Sequence, residues 1–128
     1  CWDLSVIQLC KKYNIPFHIS TQASVSNIES AKFYKKLGAE RIVLARELNL
    51  NQIKDIIKKT GIKAEVFIHG AMCLAVSGRC LMSQFLFNKS SNRGECIHPC
   101  RRSYTIKDTQ EGYELEVDNN HILSAKDL

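Results

Sequence analysis

Apolar positions along the first seventy residues alternate between helical and strand spacing. Trp2, Val6, Leu9 and Tyr13 recur at helical intervals and Cys10 shares their face, which predicts an opening helix. Cys10 is expected in the core, because a free cysteine packs as a small hydrophobe. A short strand is predicted over 16–20. Ser26 and Glu29 then form an S-x-x-E capping box, followed by an apolar face of Ile28, Ala31, Tyr34 and Leu37. Gly38 stands where a left-handed residue ends a helix. The run Ile42-Val43-Leu44 centres a second strand over 41–45. Asn49, with Gln52 three positions on, caps a helix that buries Ile53, Ile56 and Ile57 and stops at Gly61. A third strand is predicted over 64–68.

The strand starts at 16, 41 and 64 lie 25 and 23 residues apart. A regular βα period with short apolar strands predicts parallel β/α architecture. Each strand runs into polar residues: His18-Ile19-Ser20-Thr21-Gln22, Arg46-Glu47 and His69-Gly70. In parallel β/α folds the loops at these C-terminal ends bind the ligand. Period alone does not separate a closed barrel from a doubly wound sheet, but no G-x-G-x-x-G or Walker pattern supports a nucleotide-binding sheet. Past Ser83 the pattern changes. Residues 88–94 are polar and turn-rich, 103–107 and 113–117 alternate as a hairpin around 108–112, and 121–124 read as a further strand. The hairpin is expected in a cap over the β/α core.

Composition narrows the class. The 128 residues are 45% hydrophobic and 24% charged, the balance of a globular domain rather than of a disordered, collagenous or coiled-coil chain. No apolar run approaches the ~18–20 residues that cross a bilayer, and no charged-then-apolar leader opens the chain. No membrane partner is therefore expected, and secretion has no support. The sequence starts at Cys1 and stops inside a motif at Leu128, so an excerpt of a longer protein is expected. Net charge is +5, and residues 73–102 hold Arg79, Lys89, Arg93, Arg101 and Arg102 against Glu95 alone. Basic charge gathered there suits a polyanion, RNA foremost, although such cations also simply solvate a surface.

That basic stretch also holds four of the six cysteines, spaced C-x6-C-x15-C-x3-C over Cys73, Cys80, Cys96 and Cys100. Clustering without a secretory leader reads as a metal or redox site rather than as disulfide staples. Four thiolates suit tetrahedral zinc or an iron–sulfur cluster. Zinc ribbons use tight C-x2-C turns, which are absent, so the cluster is favoured over zinc; His98 is a substitute ligand. Unligated thiols, or a cysteine nucleophile paired with His69, are the other readings. Glu65, Phe67 and His69 alternate along the third predicted strand and so share a face. Glu65 and His69 could form a general acid/base pair or bind a polar substrate, or equally a buried structural pair.

The sixteen residues Glu65-Val66-Phe67-Ile68-His69-Gly70-Ala71-Met72-Cys73-Leu74-Ala75-Val76-Ser77-Gly78-Arg79-Cys80 resemble the signature of peptidase family U-32, the collagenase-like peptidases. The resemblance continues in Asn92-Arg93-Gly94-Glu95-Cys96-Ile97-His98-Pro99-Cys100-Arg101, in Ser20-Thr21-Gln22 and Asn27, in Arg46-Glu47-Leu48 and in Ser124-Ala125-Lys126-Asp127-Leu128. It implies an α/β fold, a partial (β/α) TIM-type barrel with a small β-hairpin insertion or cap. Residues 1–87 would belong to the barrel, and 88–128 would form the cysteine-containing loop, the hairpin and the start of a further barrel element.

The family resemblance also implies chemistry. The family was first described as proteases or collagenases, while other branches hydroxylate tRNA, rRNA or ubiquinone precursors with 4Fe–4S clusters, and the RNA branches draw on prephenate. By position Cys73, Cys80 and Cys96 match three cluster ligands. In many members the fourth follows the K-D-L segment, beyond Leu128; in others a C-x3-C pair supplies it, which makes Cys100 the other choice. The expected function is cytoplasmic hydroxylation of an RNA base, with Arg79, Arg93, Arg101 and Arg102 on the phosphates and Glu65, His69 and Arg46 orienting a small anionic donor. A protease acting on peptides and a zinc-stabilised RNA-binding module are the alternatives. No G-x-S-x-G, H-E-x-x-H or paired-aspartate motif supports the protease.

Overall fold

A computed structural model describes residues 1–70, 73 and 75–117. Contacts divide the chain into two compact units, the first ending at Ile68 and the second beginning at His69.

In the first unit, helix α1 (Leu4–Lys12) starts at Asp3, whose carboxylate accepts from the amides of Ser5 at 2.8 Å and Val6 at 3.3 Å. Its buried residue is Ile7, with Cys10 half-buried against the core, whereas Trp2, Val6, Leu9 and Tyr13 are exposed. The expected face is thus rotated. Apolar residues surround most of this helix, so spacing alone leaves its phase open, and packing selects the Ile7–Cys10 ridge.

Strand β1 (His18–Ile19) leads to a short 3-10 turn, Thr21–Ala23, and helix α2 (Ile28–Lys36). The expected Ser26–Glu29 capping box does not form. Asn27, in extended backbone, caps α2 instead by accepting from the Ser30 amide at 2.8 Å, and Glu29 pairs with Lys32 at 2.7 Å. Asparagine is at least as good an N-cap as serine, so the later start prevails. Ala31 is fully buried, with Ile28, Tyr34 and Leu37 packed beside it, as expected, and Gly38 turns the chain at φ +100.

Strand β2 (Arg41–Val43) and helix α3 (Leu50–Thr60) follow. The Asn49–Gln52 capping box forms in full. Asn49 Oδ1 accepts from the amides of Asn51 and Gln52 at 3.0 Å, and Gln52 Oε1 accepts from the Asn49 amide at 2.9 Å. Gly61 ends α3 at φ +60. Ile56 is buried and Ile53 packs against the core, but Ile57 is exposed.

Strand β3 (Lys63–Glu65) closes the unit and is shorter than expected. Its ladder with β2 extends only to the Leu44 amide donating to Glu65 O at 2.9 Å, because β2 itself has ended. Phe67 and His69 therefore lie beyond the strand, and strand alternation does not place them on a face with Glu65. Ile68 is 93% exposed.

The three strands form a parallel sheet in the order β1–β2–β3, with Ile19 opposite Ile42 and Ile42 opposite Ala64. Phe17, Ile19, Ile42 and Leu44 join Ile7, Ala31 and Ile56 in one core, so α1, α2 and α3 all cover the same side of the sheet. The other side carries His18, Arg41, Val43, Lys63 and Glu65, none of them buried. At the outer edge of β1, the Cys1 amino group donates to His18 O at 2.7 Å and the Ser20 amide donates to Cys1 O at 2.8 Å. These two bonds are a parallel bridge opposite Ile19.

In the second unit, helix α4 (Met82–Phe87) was not evident from periodicity. Strands β4 (Tyr104–Lys107) and β5 (Glu114–Val117) form the expected antiparallel hairpin, with Lys107 opposite Glu114 and their side chains 3.2 Å apart. Asp108 shapes the turn, its carboxylate accepting from the amides of Gln110 at 2.8 Å and Glu111 at 2.7 Å. The strand expected over 121–124 and the motif at 124–128 lie outside the described residues. Among the described residues no helix is long and apolar enough to cross a membrane.

Candidate functional site

The first unit contributes the loops beyond its strands. Ser20 caps the turn after β1, its hydroxyl accepting from the Gln22 amide at 3.2 Å. The Ala45 amide donates to Val25 O at 2.9 Å, lacing the loops after β1 and β2 together. Arg46 follows at the Ala45–Leu48 turn, at the ligand-binding end of a parallel sheet. Glu65 pairs with Arg41 at 3.6 Å, and His18 approaches Glu40 at 4.0 Å. Arg41 was missed from sequence. It and Val43 share a face of β2, and Val43 stands opposite Glu65, so the strand register would have revealed it. A cleft of about 490 Å³ lined by Cys10, Pro16, Phe17, Gly38 and Glu40 opens at the other end, before the strands begin.

The second unit holds His69 at its start and the four clustered cysteines, all of them free thiols. Gly78, at φ +80, turns the chain just before Cys80, and the Asn92 side-chain amide donates to Gly78 O at 3.1 Å, tying the polar loop to that turn. That loop is closed by the Ser90 amide donating to a Glu95 carboxylate oxygen at 3.1 Å. Cys80 leads into α4, and the fully buried Ser83 of α4 reaches Cys96 Sγ at 3.9 Å and the Ile97 amide at 3.4 Å. The next turn, Pro99–Arg101, buries Pro99, whose carbonyl accepts from the Tyr104 hydroxyl at 2.6 Å. The C-x3-C loop is thereby fixed to α4, the helix that Cys80 leads into.

The surroundings of Cys100 act on its thiol. Burial, first of all, pushes the Cys100 thiol above the usual cysteine range, and the neighbouring Cys73, Cys96 and Cys80 add to the rise against the opposing pull of Arg101. Cys73, Cys80 and Cys96 thus all lie within electrostatic reach of Cys100, and four cysteine sulfurs are the kind of donor set that would hold an iron–sulfur cluster. Among the described residues no three His, Cys, Asp or Glu side chains are arranged to grip a metal ion as they stand. His98 is exposed, with left-handed backbone at φ +54.

The arginines divide by environment. Arg79 and Arg93 are exposed, and Arg101 is half-buried beside Cys100. The Arg102 guanidinium lies over the Phe87 ring at 4.7 Å, a cation–π contact that fastens the end of the C-x3-C loop to α4. Ser83 is the residue that sequence reasoning missed here. Its signal was a single hydroxyl inside the apolar run Leu81-Met82-Ser83-Gln84-Phe85-Leu86-Phe87.

Comparison with known proteins identifies the family. The model of peptidase family U32 matches residues 1–128. The 23S rRNA 5-hydroxycytidine C2501 synthase of Escherichia coli is 47% identical over 98% of this chain and 19% of its own length. A collagenase of Porphyromonas gingivalis is 40% identical over 98% of the chain and 33% of its own length. The tRNA hydroxylation protein P1 of Bacillus subtilis is 39% identical over 98% of the chain and 31% of its own length. The chain thus spans a third or less of the length of these relatives. No solved structure shows a significant match. Since both the match to the family and these similarities run through the βα units and the cysteine loops alike, the chain belongs to peptidase family U32.

Proposed function

We propose that this chain is part of a (β/α) barrel enzyme that hydroxylates a base in tRNA or rRNA, with an iron–sulfur cluster held by Cys73, Cys80, Cys96 and Cys100. The observation that carries the reading is the gathering of Cys73, Cys80 and Cys96 within electrostatic reach of Cys100, in a unit whose arginines suit a polyanion. When bound, the cluster supplies redox and Lewis-acid chemistry at iron. The chain's own part would be to supply the four sulfurs, with Cys96 tied to α4 through Ser83, and to meet RNA phosphates with Arg79, Arg93 and Arg101, contacts that position a substrate rather than read its sequence. Arg46, in the loop after β2, is the cation we assign to a small anionic co-substrate such as prephenate.

The barrel is supported by strand order and coverage. A doubly wound sheet reverses strand order and carries helices on both faces. Here the Cys1 bridge, β1, β2 and β3 advance in one direction with α1, α2 and α3 on one side, as in a barrel wall. The RNA substrate is supported by relatives named as tRNA and rRNA hydroxylation proteins.

A second reading, a peptidase, is favoured by the relative named collagenase. One experiment separates the two. The full-length protein, purified without oxygen, is expected to be brown with bound iron and sulfide, and its deletion is expected to remove a hydroxylated nucleoside from digested cellular RNA. Unchanged nucleosides together with cleavage of gelatin by the purified protein would establish the peptidase instead.

A further inference from the structure

Helix α4 carries one polar side chain that solvent does not reach, Ser83, at 0% exposure. Its Oγ accepts from the Ile97 amide at 3.4 Å and donates to Cys96 Sγ at 3.9 Å. The roles are fixed by chemistry. A backbone N–H can only donate, and a metal-bound cysteine sulfur could only accept, so with the centre bound the hydroxyl would stand between them with its proton on the sulfur side. The amide, by donating to the oxygen, polarises the O–H bond and makes it the better donor. Cys96 itself is exposed, so this buried contact is the side from which the protein grips its sulfur.

We infer that Ser83 is a positioning residue whose hydroxyl hydrogen-bonds the Cys96 thiolate and thereby raises the reduction potential of the iron–sulfur centre bound there. This rests on the cluster assignment made above. A donor aimed at a ligating sulfur stabilises negative charge on it, and the reduced cluster is the more negative form, so hydrogen bonds to sulfur favour reduction. The contact also orients Cys96. Because Ser83 belongs to α4 and Cys96 to the loop that packs on it, the bond fixes the sulfur relative to the helix that Cys80 leads into.

The test uses the full-length protein purified anaerobically as wild type, Ser83→Ala and Ser83→Thr. Iron and sulfide are expected to be equal in all three. Redox titration is expected to give a lower midpoint potential for Ser83→Ala and a wild-type value for Ser83→Thr, which keeps the hydroxyl. Equal potentials in wild type and Ser83→Ala, both with intact clusters, would overturn the inference alone. Absence of iron and sulfide from the wild type would overturn the cluster assignment and the inference with it. A further measurement needs only wild-type protein. Its iron–sulfur stretching bands in resonance Raman spectra are expected to shift on transfer to D2O, where the hydroxyl proton exchanges, and unshifted bands would likewise overturn the proposal.

Discussion

Asn49 makes reciprocal use of side chain and backbone: it accepts from two amides at the start of α3 and receives the Gln52 side chain on its own amide. Replacing it with alanine strips that helix end of its acceptor and is expected to cost about 1 kcal/mol in chemical denaturation. Ser26→Ala is expected to change stability by less than ~0.5 kcal/mol, because Asn27 caps α2. These two sites show what single positions reveal in sequence. Asn49 and Gln52 have the motif and no competitor, whereas Ser26 and Asn27 are adjacent capping residues and only the backbone angle at Asn27 decides between them. Cysteine spacing likewise marked the four thiols but not Ser83 or Arg41. Both owe their importance to a neighbour distant in sequence, Cys96 for one and Glu65 for the other.

Among the elements, the β4–β5 hairpin was legible because its alternation and the Asp108–Gly112 turn agree. Its turn also sets a pH dependence. The Glu111 amide, followed by that of Gln110, holds the Asp108 carboxyl below the usual carboxylate range. With the folded pKa depressed, the stabilisation is present above the unfolded value and is lost as pH falls through the folded one. In an NMR acid titration the Gln110 and Glu111 amide shifts are therefore expected to move together at a pH below that of an exposed aspartate, and Asp108→Ala is expected to abolish the transition. Helix α4 was less legible, since six residues with three apolar neighbours in a row show neither period clearly. Strand β3 was over-extended for a related reason: Val66, Phe67 and Ile68 look like strand, but β2 offers them no partner beyond Leu44.

For the molecule as a whole, the βα rhythm foretold parallel pairing, and the three strands pair in that way. Rhythm could not foretell which side the helices take, because that follows from the crossover geometry and from the single core shared by Ile7, Ala31 and Ile56. Nor could it reveal that Cys1 continues the ladder. That bridge has a dynamic consequence. The Ser20 amide lies past the end of β1 and leads into a loop, a place where deuterium normally enters within moments, yet it is anchored on Cys1 O. In the full-length protein Ser20 should keep its proton for as long as the amides inside the sheet do, so the slow-exchanging region should reach one residue past the end of β1.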